Sequence, residues 1–186
     1  MDRRTLARSG PGGLASLFIL DLRRPTAAKG YDGIVQRLLS IDEPKQADLI
    51  AELVDAEHLI ETGDMTKQTL SLGEKSTGTR RGAPGHYDID SALVNADGTI
   101  ETAIQTYRPM TTDVHQAIKD IRSKMQQQLR AAPAANKTLA VHVDDAMKVL
   151  LEAERDQLSG LAQKLGISID IVASDGSRIH FSGGAR

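Results

Sequence analysis

Residues 86–107 read HYDIDSALVNADGTIETAIQTY. Two runs rich in β-formers, His86 to Asn95 and Thr99 to Tyr107, flank Ala96-Asp97-Gly98, a turn that supplies a glycine where the chain reverses. The stretch therefore predicts a β-hairpin. A lone hairpin cannot bury enough apolar surface to stand in water, so the segments on either side decide what covers it.

Downstream, Thr112 or Asp113 caps a helix whose apolar positions Val114, Ala117, Ile118, Ile121, Met125 and Leu129 fall on one stripe and which ends before Pro133. A strand is expected at Thr138 to Val143. Met147, Leu150, Leu151, Leu158, Leu161, Ala162 and Leu165 then mark a further helix closed by Gly166. Ile167 to Val172 and Arg178 to Phe181 form a last strand pair around Asp175-Gly176. Upstream, Asp42-Glu-Pro-Lys opens a helix through about Thr62 with Gly63 as its C′ residue, and Thr66 to Leu72 reads as a strand. Helix, strand, hairpin, helix, strand, helix, strand pair is the order of an α/β (α+β) domain: a small mixed β-sheet with a central hairpin flanked by helices, spanning residues 41–186.

Residues 1–40 are set apart by two breakers, Gly10 to Gly13 and Arg23-Arg-Pro25, and read as an N-terminal arm or linker with a short helix at Tyr31 to Leu39. The apolar run Leu14 to Leu20 has about half the length a membrane span needs, so no membrane span is expected and the run reads as a short strand or helix rather than a signal peptide.

Composition narrows the chemistry. A formal charge of −2 and a sequence pI of 6.2 leave no overall basic field for nucleic acid, so any such contact must be local. The absence of cysteine removes disulfides, zinc–thiolate sites and thiol nucleophiles. Five aromatic residues are too few for a base-stacking platform. Walker, G-x-S-x-G and G-x-G-x-x-G signatures are missing.

Side chains alternate along a strand, so Asp88 and Asp90 share one face of the hairpin, and Glu101, Ala103, Gln105 and Tyr107 share one on the next strand. If pairing joins those faces, Asp88, Asp90 and Glu101 become hard oxygen ligands for a divalent cation such as Mg2+. A plain solvent-facing strand has the same alternation, and both readings stay open. Lys75, Arg80, Arg81 and His86 lie in the long polar loop before the hairpin, where positive charge suits a phosphate backbone. The other histidines are dispersed and read as structural, with His86 and His115 flanking the hairpin as acid or base candidates.

Glu52-Leu-Val-Asp-Ala56-Glu-His-Leu59-Ile-Glu-Thr-Gly63, followed by the Asp-bearing strand, Asp97-Gly98, Gln105-Thr-Tyr107-Arg-Pro109-Met-Thr111-Thr112-Asp113 and Leu139-Ala-Val-His-Val-Asp144-Asp145, resembles the C-terminal tRNase domains of contact-dependent growth inhibition toxins. The resemblance covers about residues 52–145. It implies a tRNA-cleaving toxin domain, secreted or delivered into a target-cell cytoplasm (otherwise cytoplasmic), and neutralised by a cognate immunity protein. It carries over Glu52, Asp88 or Asp90, Tyr107 and Thr112 as catalytic candidates; Arg108, next to Tyr107, joins the basic loop as a nucleic-acid-binding candidate. One departure is plain: the acid expected two positions before the tyrosine is Gln105, with Glu101 as the alternative carrier. The hairpin is also similar to the PD-(D/E)XK nuclease pattern, with Ala103 and Gln105 where an acid and a lysine are expected. These departures favour the competing expectation, a non-catalytic protein-interaction or nucleic-acid-binding module on a degenerate nuclease-like fold. Oligomeric state is not legible.

Overall fold

The computed structural model describes residues 43–76, 83 and 85–184. The N-terminal arm, its short helix, Arg80 and Arg81 lie outside the described residues. Among the described ones the chain forms α1 (Glu43–Thr62), β1 (Gln68–Lys75), β2 (Asp88–Asn95), β3 (Ile100–Tyr107), α2 (Val114–Lys124) ending in a π-helical turn (Met125–Leu129), β4 (Ala134–His142), α3 (Asp145–Ala153), α4 (Arg155–Leu165), β5 (Ser168–Val172) and β6 (Arg178–Phe181). This is the mixed α/β architecture expected from the sequence.

The six strands form one sheet in chain order. β1, β2 and β3 are antiparallel, joined at the hairpin by Gly98 at a φ of 84°. β3, β4 and β5 are parallel, because α2 and then the α3–α4 pair carry the chain back across the sheet. β6 closes the far side by antiparallel pairing with β5.

Alternation sends the two faces to different cores. Ala103, Leu139, Val141, Ile169 and Ile171 meet Ile118, Ile121 and Met125 of α2 and its π turn, Leu151 of α3 and Leu158 of α4. Leu70, Leu72, Leu93, Ile104, Ala140 and Val172 meet Leu49, Leu53, Ala56 and Leu59 of α1. Those four α1 positions recur at helical spacing, and each buried leucine there contributes roughly 1.5–3 kcal/mol. The sheet is thus covered on both sides, and the apolar stretches Leu139-Ala140-Val141 and Ile171-Val172 put residues into both cores. No helix among the described residues is long and apolar enough to cross a membrane.

Two sequence expectations change in detail. The last long helix is two, broken where Glu154 adopts φ −91° and ψ 24°. Gly63 does follow α1, but not for a left-handed conformation: a Cβ there would lie 2.5 Å from Leu93 Cδ1 and 2.8 Å from the Leu59 carbonyl oxygen.

Candidate functional site

Side chains take over from backbone pairing at the point where β2 and β3 part. The ladder between them runs to the Ser91–Ile104 pair. Just beyond, the Asp90 carboxylate accepts the Thr106 backbone N–H at 2.8 Å and also a hydrogen bond from Gln105 Nε2. Burial pushes the Asp90 carboxyl well above the usual range, and the negative charge of Glu52 on α1 pushes it further; Asp88 and Asp55 add in the same direction against the Thr106 hydrogen bond. Gln105 is buried, and its Oε1 has no hydrogen-bond partner.

Glu52, Asp90 and Gln105 are therefore gathered from α1, β2 and β3 around one spot. Two carboxylates and an orphaned amide oxygen are hard donors of the type Mg2+ takes, so these residues fit the cation better than the set expected from the hairpin alone. Glu101 is not brought to them. Its carboxylate accepts from Asn136 Nδ2 at 3.2 Å and Asn95 Nδ2 at 3.5 Å, and antiparallel pairing leaves it about six residues, roughly 20 Å, along the hairpin from Asp88. Among the described residues no three His, Asp or Glu side chains cluster closely enough to hold a metal by themselves.

The residue paired with the β2 acid is Gln105, and Tyr107 stands two positions on. Tyr107 turns to the other side of the sheet: its hydroxyl donates to Asp120 Oδ2 of α2 at 3.2 Å, and the Lys124 ammonium lies 5.5 Å from its ring centroid. Burial, with the Asp120 charge beside it, pushes the phenol up to about 12. His86 has Nδ1 3.2 Å from Ser76 Oγ, ahead of β2. Lys75 pairs with Asp88 through the backbone at the end of β1, and its side chain lies outside the described part.

A second polar group, adjacent to the first, was not singled out in the sequence. Asp55 of α1 is fully buried and accepts from Thr106 Oγ1 at 2.7 Å and Arg178 Nη2 at 2.8 Å, with His142 Nε2 2.9 Å from its Oδ2. Arg178 also reaches Asp170 Oδ2 at 3.4 Å, and His180 Nδ1 lies 2.6 Å from Asp170 Oδ1. Register explains the convergence: Thr106, Ala140, Asp170 and His180 are neighbours across four strands, and His142, Val172 and Arg178 form the next row on the same face. Thr106 joins the two groups, giving its N–H to Asp90 and its hydroxyl to Asp55.

His142 also lines a cleft of about 600 Å3 at the carboxyl ends of the parallel strands, between α1 and α3. Crevices at that edge are where open α/β sheets bind ligands. Arg108 and Thr112 border this cleft, and Arg108 Nη1 is held 3.1 Å from Asp48 Oδ1. His115 sits exposed on the first turn of α2, its backbone N–H bonded to the Asp113 cap. The sequence candidates thus divide between the Asp90 group, the cleft rim and the Glu101 end of the hairpin, with Tyr107, His86 and His115 apart from all three. Compared with protein-family models, curated proteins and solved structures, the chain matches none of them.

Proposed function

We propose that the domain is a toxin-type ribonuclease that cleaves tRNA at the Glu52–Asp90–Gln105 group. The observation that carries this reading is the Asp90 carboxyl, buried where two strands part and raised by the nearby charge of Glu52. A carboxyl that keeps its proton to higher pH than an exposed one has the property of a general acid, and the carboxylate that raises it is its natural partner as base. Gln105 holds Asp90 in place, and Thr106 fixes it from the backbone. With Asp90 ionised instead, Glu52, Asp90 and the Gln105 amide oxygen would hold a divalent cation, which would supply Lewis-acid polarisation of a phosphodiester; Asp90 serves as the acid only where no cation is bound. On this reading the domain acts in the cytoplasm of a target cell and is neutralised by a cognate immunity protein, as the resemblance to contact-dependent growth inhibition toxins implies.

The test is incubation of the full chain with total bacterial tRNA, with and without magnesium, products being resolved on a denaturing gel. Discrete fragments are expected from the wild type and from Glu101→Ala, and none from Asp90→Ala or Glu52→Ala. Intact tRNA in every condition, or cleavage that survives both site substitutions, overturns the proposal.

A specific observation favours a second reading, a non-catalytic nucleic-acid-binding or protein-interaction module. Gln105 stands where an acid is expected, and Tyr107, a catalytic candidate, is turned to Asp120. That reading predicts tRNA or protein binding without turnover and indifference to Asp90→Asn.

A further inference from the structure

His142 Nε2 lies 2.9 Å from Asp55 Oδ2, and the His142 side chain is 13% exposed. Asp55 already takes hydrogen bonds from Arg178 and from the Thr106 hydroxyl. Towards the imidazole its carboxylate is again the acceptor, so Nε2 carries the ring proton. In the neutral ring the lone pair then sits on Nδ1. Nδ1 has no hydrogen-bond partner among the described residues, yet it is not shut away from solvent. His142 also lines the cleft between α1 and α3. The wall of the cleft therefore carries an oriented acceptor with nothing to accept from. The rest of the lining shows what kind of donor fits. Ile50, Val54, Met147, Leu150 and Val172 give it aliphatic surface, and its volume of about 600 Å3 is that of a small-molecule site. The two charged residues on the lining are matched already: Arg108 Nη1 is 3.1 Å from Asp48 Oδ1, and Asp144 Oδ1 accepts the Met147 N–H at 2.8 Å as the cap of α3. A charged ligand would give up its water there without a counter-charge to replace it.

We propose that the cleft is a binding site for an uncharged, mostly apolar small molecule that donates one O–H or N–H to His142 Nδ1. Asp55 is the positioning residue: it fixes the tautomer and the plane of the ring, and Arg178 in turn holds Asp55. His142 reaches the cleft from the carboxyl end of β4, the edge at which open α/β sheets take their ligands. The site uses neither Glu52 nor Gln105, so it stands or falls separately from cleavage of tRNA.

The probes are 2-naphthol and indole, each a flat apolar body with one donor. Their controls are 2-methoxynaphthalene and 1-methylindole, which keep the shape and lose the donor, and 2-naphthoate, which adds a charge. In the isotope-labelled full chain, in mildly alkaline buffer, long-range proton–nitrogen NMR is expected to show His142 as the Nε2–H tautomer before any ligand is added. On titration the two donors are expected to shift the His142 Nδ1 resonance and the Val54 and Met147 amides, and to bind roughly five- to tenfold more tightly than their methylated controls. His142→Phe is expected to erase that preference while the controls still bind. Ala146→Trp, at an exposed position on the lining and clear of the Asp55 contacts, is expected to weaken both donors and both methylated controls several-fold with circular dichroism unchanged. An Nδ1–H tautomer overturns the proposal, as does equal affinity of donor and control or tighter binding of 2-naphthoate. Shifts that avoid the cleft, binding indifferent to Ala146→Trp, and no binding by any probe overturn it as well.

Discussion

Asp90 and Asp55 are both acids pressed between α1 and the sheet, yet they carry opposite consequences. Asp90 has hydrogen bonds from Thr106 and Gln105, but its strongest electrostatic neighbour is another acid, Glu52. Between the carboxyl's unfolded pKa and its raised folded one, the folded chain holds a proton that the unfolded chain has released, so stability falls as pH rises through that window. Asp90→Asn is therefore expected to flatten the slope and to gain on the wild type as pH rises above the ordinary carboxylate range. Urea denaturation across that range measures it, and an unchanged slope would contradict the assignment. Asp55 is instead fully matched by Arg178, Thr106 and His142. Removing it leaves the half-buried Arg178 guanidinium with Asp170 alone and takes the acceptor from Thr106 Oγ1, and Asp55→Ala is expected to cost about 3 kcal/mol in the same assay. The sequence showed the first acid and hid the second. Asp90 stands on a strand whose alternation is visible locally. Asp55 reads as one more acid in an acid-rich helix, and its three partners are 51, 87 and 123 residues away.

At the scale of elements, local signals found the helices and strands, and packing decided where they stop. The Asp113 cap, with its carboxylate accepting from the His115 and Gln116 amides, and the left-handed Gly166 after α4 are where capping chemistry puts them. The apolar stripe through Leu129 was legible, but not that its last turn would be a π turn, which brings Met125, Gln128 and Leu129 all inward. Gln128 Oε1 is left buried without a partner there. Gln128→Met, which keeps length and removes the polar atoms, is expected to raise stability by about 1 kcal/mol in thermal or denaturant unfolding. Gly63 makes the complementary point. A glycine after a helix predicted a cap, whereas the structure uses it for close approach to Leu93 and the end of α1. Gly63→Ala is expected to cost about 1–3 kcal/mol although the backbone conformation itself tolerates a side chain.

For the whole molecule, the helix and strand order gave the mixed sheet, because few architectures accommodate three antiparallel strands followed by two helical crossovers. What it did not give was the convergence of Glu52, Asp90 and Gln105, which depends on how α1 lies over the parting of β2 and β3. It also misplaced Glu101, since a register shift at Leu93–Val94 and the length of the hairpin set its distance from Asp88. The layering carries its own prediction. β3, β4 and β5 are paired on both sides and covered on both faces, so their amides are expected to exchange with deuterium most slowly, with the edge strands β1 and β6 releasing protection first.

That strands lie in space in the order in which they follow in the chain also fixes how the domain yields to traction. Pulled from its C-terminus, the polypeptide lifts β6 off β5, then β5 off β4, so that rupture travels along one ladder at a time and never has to shear the sheet as a whole. Refolding through a narrow opening, N-terminus leading, meets the same simplicity in reverse: each strand after β1 emerges with the strand it pairs with already through.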